Sequence, residues 1–220
     1  MPVLKFAELS PASLRRIVNL TERRIAPYEW TQVDLMTLDS DDQRRVQDMV
    51  NRLLYADTNV MNEATIWDRA IYPLLLLAEQ GDIQAWSQVP LRATYPHIEL
   101  QGVTDGVLGS GITSLVESSY YLVVVEAKRG LESPDPRPQL CGQILAAARL
   151  NWERDQHPVQ ELYGCYTIRD GWNFVRAEVH RIDSDAPAMT IEFSREYVQK
   201  LEAETILKIL KRIVAKSGEK

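Results

Sequence analysis

The spacing of apolar residues changes along this chain and predicts helices first and strands afterwards. Apolar residues recur every three or four positions between residues 46 and 54, as in a helix with one buried face. They are Val46, Met49, Val50, Leu53 and Leu54. Asp39-Ser40 precedes this stretch and predicts the start of its helix. Ser10-Pro11 predicts an earlier helix, with serine as the capping residue and proline at the first helical position.

A third helix is predicted from residues 59–62 to about residue 80. Its buried stripe consists of Ile66, Ala70, Ile71, Leu74 and Leu75. Pro73 lies inside the pattern, so a kink or a break is expected there, because proline lacks the backbone donor that a helix needs. Residues 27–38 show no clear period and give no prediction.

Strand patterns follow from residue 83 onwards. The predicted strands are residues 83–93, 97–108, 120–128, 159–168 and 172–182, with 190–193 as an edge strand. Asp170-Gly171 is a hairpin signal between the fourth and fifth strands. Residues 138–152 predict a helix between the third and fourth, and Ser194 predicts the cap of a terminal helix. Residues 109–117 and 130–137 are predicted loops.

Residues 120–128 form the most informative stretch, because a long apolar run ends there in an acid and a base. The run is rich in β-branched residues and predicts a strand buried on both faces. Residues two apart on a strand share a face, so Glu126 and Lys128 point the same way. Charges at the end of a buried strand need a partner, because an unpaired buried charge is costly. Asp105, on the preceding predicted strand, supplies a second carboxylate.

These residues resemble the motif of the PD-(D/E)XK nuclease superfamily. Asp105 matches the first acid, and Glu126 and Lys128 match E-x-K; Thr104 stands where the motif has proline. The segment 62–75 resembles the first core helix of type I restriction enzyme nuclease domains, with Glu63 as its early acid. The likeness covers roughly residues 60 to 182.

The resemblance implies an α/β fold of restriction endonuclease type, with a mixed central sheet flanked by helices and added helices at both ends of the chain. It implies Mg²⁺ or Mn²⁺ held by Asp105, Glu126 and the carbonyl of Ala127, with Lys128 in the chemistry. Several branches of the superfamily place a glutamine beside the lysine, which here corresponds to Gln139 or Gln143, with Gln143 preferred. The expected activity is metal-dependent hydrolysis of DNA.

Each residue also has a simpler interpretation. Glu126 and Lys128 can form a salt bridge at the end of a strand that leads into a turn, and Asp105-Gly106 can form a hairpin turn. An acid at Glu63 is favourable in the first turn of any helix, and both glutamines can lie on an exposed helix face. A catalytically silent member of the fold, acting as a binding or assembly module, is therefore the alternative function.

Composition limits the location and partners of the protein. The chain has 220 residues and a formal net charge of −6, which argues against a generally basic surface for nucleic acid but leaves a local one open. Four arginines follow the third strand in sequence: Arg129, Arg137, Arg149 and Arg154. With two cysteines, no secretory signal and no apolar stretch long enough for a membrane, a cytoplasmic protein with reduced thiols is expected.

One compact domain is expected, built from three segments. They are an N-terminal helical addition (1–58), a nuclease-like core (59–193) and a C-terminal helix (194–220). The addition could serve packing, dimerisation or DNA contact. No phosphate-cradling glycine loop is present, so any ATP-driven motor, like any specificity subunit, would be a separate chain.

Overall fold

A computed structural model describes residues 1–58, 60–112, 119–128 and 135–217, which fold into a mixed β-sheet between two layers of helices. The strands are β1 (Val3–Lys5), β2 (Asn19–Glu22), β3 (Gln84–Thr94), β4 (Glu99–Ser110), β5 (Tyr120–Lys128), β6 (Val159–Ile168), β7 (Gly171–His180) and β8 (Ala188–Val198). The helices are α1 (Pro11–Ile17), α2 (Ser40–Leu54), α3 (Glu63–Ile66), α4 (Tyr72–Leu77), α5 (Pro136–Asp155) and α6 (Gln199–Ser217).

The predicted α/β architecture with a mixed, helix-flanked sheet is confirmed. From β4 the sheet continues through β5, β6, β7 and β8 to β2, with β5 and β6 parallel and the other central pairs antiparallel. On its other side β4 pairs along most of its length with β3. The parallel β5–β6 pair is joined by α5, which packs against both strands.

Each face of the sheet is covered by its own apolar core. One core contains side chains from α2, α3, α4 and α6, and the other contains side chains from α1 and α5. Residues 121–127 of β5 are all buried, because this strand lies between the two cores. This explains why the strand reads as a continuous apolar run rather than as an alternating one.

The irregularity expected around Pro73 is present, as a turn of π-helix. Residues Trp67–Ile71 form this turn between α3 and α4, and the N–H of Tyr72 bonds to the carbonyl of Trp67, five residues back. The buried amide of Gln199 donates to the carbonyl of Ala70 at 2.7 Å, so the irregular backbone is tied to the start of α6.

Three predictions near the end of the chain are wrong. The edge strand predicted at residues 190–193 is longer and lies inside the sheet, because β8 spans Ala188–Val198 between β7 and β2. Ser194 caps no helix: it lies inside β8, an eleven-residue strand, and its hydroxyl accepts a 2.9 Å bond from the N–H of Phe174 where β7 bulges. The terminal helix begins only at Gln199. The β6–β7 hairpin turns at Arg169-Asp170, one residue before the predicted position, since Ile168 pairs with Gly171.

The N-terminal segment contributes strands as well as its two predicted helices, α1 and α2. β1 pairs in parallel with the first part of β4, and β2 pairs in parallel with β8 at the far edge of the sheet. Cys141 and Cys165 are buried and free. No helix within the described ranges has the length and apolarity needed to cross a membrane.

The predicted loops lie largely outside the described residues. Residues 113–118 and 129–134 belong to the undescribed part, and Arg129 is among them. The described ends of these loops are already structured, because β4 extends to Ser110 and α5 starts at Pro136.

Candidate active site

The predicted site residues lie close to the point where the pairing partner along one edge of β4 changes from β1 to β5. Residues 99–101 of β4 pair with β1, whereas residues 106–110 pair with β5. The edge of β4 is therefore unpaired between them, and Asp105 lies in this gap. The last pair between β4 and β5 is Gly106 with Val125. If this register is continued by one residue, Asp105 stands opposite Glu126 on the same face of the sheet. The alternative of a turn at Asp105-Gly106 is wrong, because both residues lie inside β4.

The carboxylate of Asp105 is held by donors from both adjoining strands. Its Oδ2 accepts a 2.7 Å hydrogen bond from the N–H of Ala127 on β5. Its Oδ1 accepts a 3.3 Å bond from Nε2 of Gln88 on β3. A carboxylate oxygen has two lone-pair sites, so each oxygen retains one for a further partner.

Glu126 and Lys128 share a face, as the two-residue spacing predicts. Oε1 of Glu126 lies 2.6 Å from Nζ of Lys128, and the Glu126 side chain is only 2% exposed. The pair is thus a largely buried salt bridge at the end of β5, a contact that the simpler interpretation of these two residues also predicts. A buried pair of this kind is costly to desolvate and adds little net stability, so its contribution to folding does not explain its presence.

Helix α5 places one glutamine on each member of this ion pair. Gln143 is completely buried, and its Nε2 donates to Oε2 of Glu126 at 2.7 Å. Gln139, one turn earlier and half-buried, accepts a 3.2 Å bond from Nζ of Lys128 through its Oε1. The exposed-face alternative is therefore wrong for Gln143, and both glutamines contact the predicted site.

Glu63 reaches the site from the opposite layer, at the first turn of α3. Asn62 caps this helix by accepting from the N–H of Thr65. A Cβ added to Gly106 would lie 2.4 Å from Cη2 of Trp67, so the absence of a side chain there lets the helix segment approach β4. Glu63 remains exposed. Its negative charge is repelled by the carboxylate of Asp105 and attracted by the ammonium of Lys128.

The acids at the site are all harder to ionise than usual. Burial, followed by the negative charge of Asp105, raises the pKa of Glu126 to about 7, although Lys128 and Gln143 oppose the shift. Burial also raises the pKa of Asp105, although the hydrogen bond from the Ala127 N–H and the charge of Lys128 each act to lower it. Partial desolvation and the charge of Asp105 raise the pKa of Glu63. Perturbed acids gathered in this way are typical of functional sites.

The donor atoms at the site suit a hard divalent cation. Asp105 and Glu126 supply carboxylate oxygens. The N–H of Ala127 points towards Asp105, and in an extended strand the carbonyl of the same residue points to the same side. Within the described ranges no group of three His, Cys, Asp or Glu side chains is gathered closely enough to form a metal site by itself. Mg²⁺ fits such a sparse set, because it often binds only one or two carboxylates and keeps several waters.

Buried polar atoms without partners concentrate around the same strand end. In the described part of the chain there are four: Trp86 Nε1, Gln143 Oε1, Thr167 Oγ1 and Arg169 Nε. Gln143 contacts Glu126, Thr167 pairs with Ala127, and the N–H of Arg169 donates to the carbonyl of Lys128 at 3.0 Å. Each buried unpaired polar atom requires an explanation, such as a water, an ion or a role in binding.

Gln88 and Arg169 are site residues that the sequence did not reveal. Gln88 contacts Asp105, and Arg169 follows the strand residue paired with Lys128. Both have left-handed backbone conformations, with φ of 54° and 59°. Asp170-Gly171, directly after Arg169, signalled the turn in the sequence, whereas nothing in the sequence marked Gln88.

Three arginines of the predicted basic cluster make contacts within the protein; the fourth, Arg129, lies outside the described residues. Arg137 pairs with Asp135 at 2.7 Å, and Arg149 pairs with Glu153 at 2.8 Å. The guanidinium of Arg154 lies 5.6 Å from the ring centre of Tyr120. These contacts leave the local nucleic-acid surface an untested prediction.

Comparison with known proteins adds no assignment. No protein-family model matches the chain, and a search of curated proteins finds no match either. The chemistry of the site is therefore inferred from its own residues.

Proposed function

We propose that this protein is a metal-dependent nuclease that hydrolyses phosphodiester bonds in DNA. The observation that carries the proposal is the position of Asp105, which bonds to β5 next to the Glu126–Lys128 pair. Two carboxylates and an ammonium at one sheet edge combine ligands for a cation with a donor for a phosphate. The mixed sheet between helices is compatible with the restriction-endonuclease arrangement that the motif suggests.

Asp105, Glu126 and the carbonyl of Ala127 are the groups that would hold Mg²⁺ or Mn²⁺. The bound ion would polarise the scissile phosphate and lower the pKa of a coordinated water. The raised pKa of Glu126, about 7, supports this assignment, because a desolvated carboxylate under the influence of a second negative charge would be stabilised by a cation.

The other residues would orient the reacting groups. Lys128, paired with Glu126, would donate a hydrogen bond to the attacking water or to a phosphate oxygen. Gln139 would keep the lysine pointing into the site, and Gln143 would fix the orientation of the Glu126 carboxylate. Glu63 is placed to accept a hydrogen bond from a water, since its charge acts on Asp105 from the other layer.

The test compares cleavage by wild type, Asp105→Asn and Lys128→Ala on single- and double-stranded DNA and RNA with Mg²⁺ or Mn²⁺. Asp82→Asn, in the exposed turn before β3, is the matched control for loss of one carboxylate. Cleavage of DNA by wild type and the control, with loss in both site variants, is the expected result. Equal cleavage by wild type and Asp105→Asn would show that the activity comes from elsewhere or from a contaminant.

A binding or assembly module without activity is the second candidate. Two observations favour it: the described residues gather no third acidic ligand, and both oxygens of Glu126 already have protein partners. In that case wild type would cleave nothing with any divalent metal, and the Glu126–Lys128 pair would serve only to fix the end of β5. Calorimetric titration with Mn²⁺ separates the two candidates, because only the nuclease requires binding that depends on Asp105.

A further inference from the structure

We propose that Gln88 is a positioning residue that fixes the orientation of the Asp105 carboxylate. The inference rests on the proposed function only in assigning a use to that carboxylate; the contact itself is independent of it. Nε2 of Gln88 donates to Oδ1 of Asp105 at 3.3 Å, and Ala127 N–H donates to Oδ2 at 2.7 Å.

The two donors lie on opposite sides of β4. Gln88 belongs to β3 and Ala127 to β5, so one oxygen is bonded towards each neighbouring strand. A carboxylate held at both oxygens loses the freedom to rotate about its terminal bond. Removing either donor would leave the group held at one oxygen only, and partners of this kind orient ligand groups for a cation.

The backbone of Gln88 supports a specific role. Ser87 pairs with Gly106 and Val89 pairs with Thr104, so Gln88 stands opposite Asp105 in the β3–β4 ladder. Its φ of 54° is left-handed, a conformation that costs a residue other than glycine about 1–3 kcal/mol.

Among the described residues other than glycine, only Gln88 has a positive φ inside a strand. The others, Gln156, Arg169 and Arg181, lie at a helix end, in a hairpin turn or just after a strand. Strained backbone is found preferentially at functional sites, where the surrounding structure maintains it.

The side chain of Gln88 is exposed, so burial does not account for the strain. A glycine would adopt this backbone without penalty, yet it would lack the amide that reaches Asp105. Gln88 thus combines a left-handed backbone inside β3 with a side-chain donor to the carboxylate. This combination distinguishes Gln88 from Gln84, which is also exposed and belongs to the same strand.

The experiment measures hydrogen exchange of the Ala127 N–H by NMR, without metal, in wild type, Gln88→Ala and Gln84→Ala. If Gln88 orients Asp105, the bond from Ala127 weakens in Gln88→Ala and its exchange becomes several-fold faster, whereas Gln84→Ala matches wild type. Calorimetry with Mn²⁺ should show about tenfold weaker binding in Gln88→Ala only. Unchanged Ala127 exchange in Gln88→Ala overturns the proposal, whatever the metal does.

Two further variants keep the test decisive. Gln88→Gly should show the same fast exchange but melt about 2–12 °C above Gln88→Ala, because it removes a backbone strain of about 1–3 kcal/mol. A lower melting temperature for the glycine variant would contradict the strain. Gln88→Asn tolerates the left-handed backbone but has a shorter side chain, and replaces Gln88→Ala if that variant fails to fold. If Ala127 exchanges fast in Gln88→Ala but wild type binds no Mn²⁺, the proposed nuclease function is refuted. The positioning role of Gln88 is then retained.

Discussion

Replacing Glu126 with glutamine should stabilise the protein in the absence of metal, and increasingly so as the pH rises. Glu126 is almost completely buried, and burial with the charge of Asp105 raises its pKa from 4.5 to about 7. Glutamine has nearly the same shape and cannot ionise. Its amide can accept from Lys128, and Gln143 can turn its unpaired Oε1 towards the new NH₂ group.

The size of the effect follows from the pKa. A raised pKa means that the folded state binds the proton more tightly than the unfolded state, so stability falls as pH rises from 4.5 to about 7. The loss amounts to about 3 kcal/mol at 1.36 kcal/mol per pH unit. This loss of stability is absent well below pH 4.5 and complete above about pH 7.

Urea unfolding of wild type and Glu126→Gln in EDTA measures this difference. We expect the stability advantage of the variant to grow by up to about 3 kcal/mol between about pH 4 and about pH 8. Taking the difference between the two proteins cancels the titration of groups distant from the site. A difference that stays constant with pH, or that shrinks as pH rises, would refute the conclusion that burial dominates the ionisation of Glu126.

Three further predictions concern neighbouring residues. Mg²⁺ should raise the melting temperature of wild type but not of Asp105→Asn, and equal shifts in both would count against a metal site here. Lys128→Ala should retain Mn²⁺ binding by calorimetry and lose cleavage, because an ammonium cannot ligate a cation; cleavage at the wild-type rate would make the lysine structural. Gly106→Ala should cost about 1–3 kcal/mol in urea unfolding, because its Cβ would lie 2.4 Å from the Trp67 ring; wild-type stability would show that the ring moves freely.

The sequence predictions were most accurate for β5, the strand that is buried on both faces. β5 has the predicted bounds, residues 120–128, because a strand covered on both faces tolerates few polar residues. The charges that end this run, Glu126 and Lys128, therefore stood out. Their approach to Asp105 followed from the strand order and the two-residue period. The preference for Gln143 over Gln139 was only slight, because a helix period does not tell which residues of α5 face β5.

The missed features depend on long-range pairing or on single backbone angles. β1 and β2 are three and four residues long, and each pairs in parallel with a strand far away in sequence, so neither has a local signal. Ser194, followed by charged residues, looks like a helix start but bonds to the bulge in β7. Gln88 has a left-handed φ inside β3, and a lone glutamine in a strand pattern does not reveal a single backbone angle.

The position of β1 and β2 has a consequence for how the chain is assembled during synthesis. Residues 3–22 leave the ribosome before any of their partners, and β8, the partner of β2, is complete only when residue 198 has been made. The outermost strand must therefore wait for almost the entire sheet. Until β2 docks, β8 presents an open edge that can pair with another molecule. A nascent or refolding chain is thus most prone to aggregation between the formation of the β7–β8 ladder and the arrival of residues 19–22.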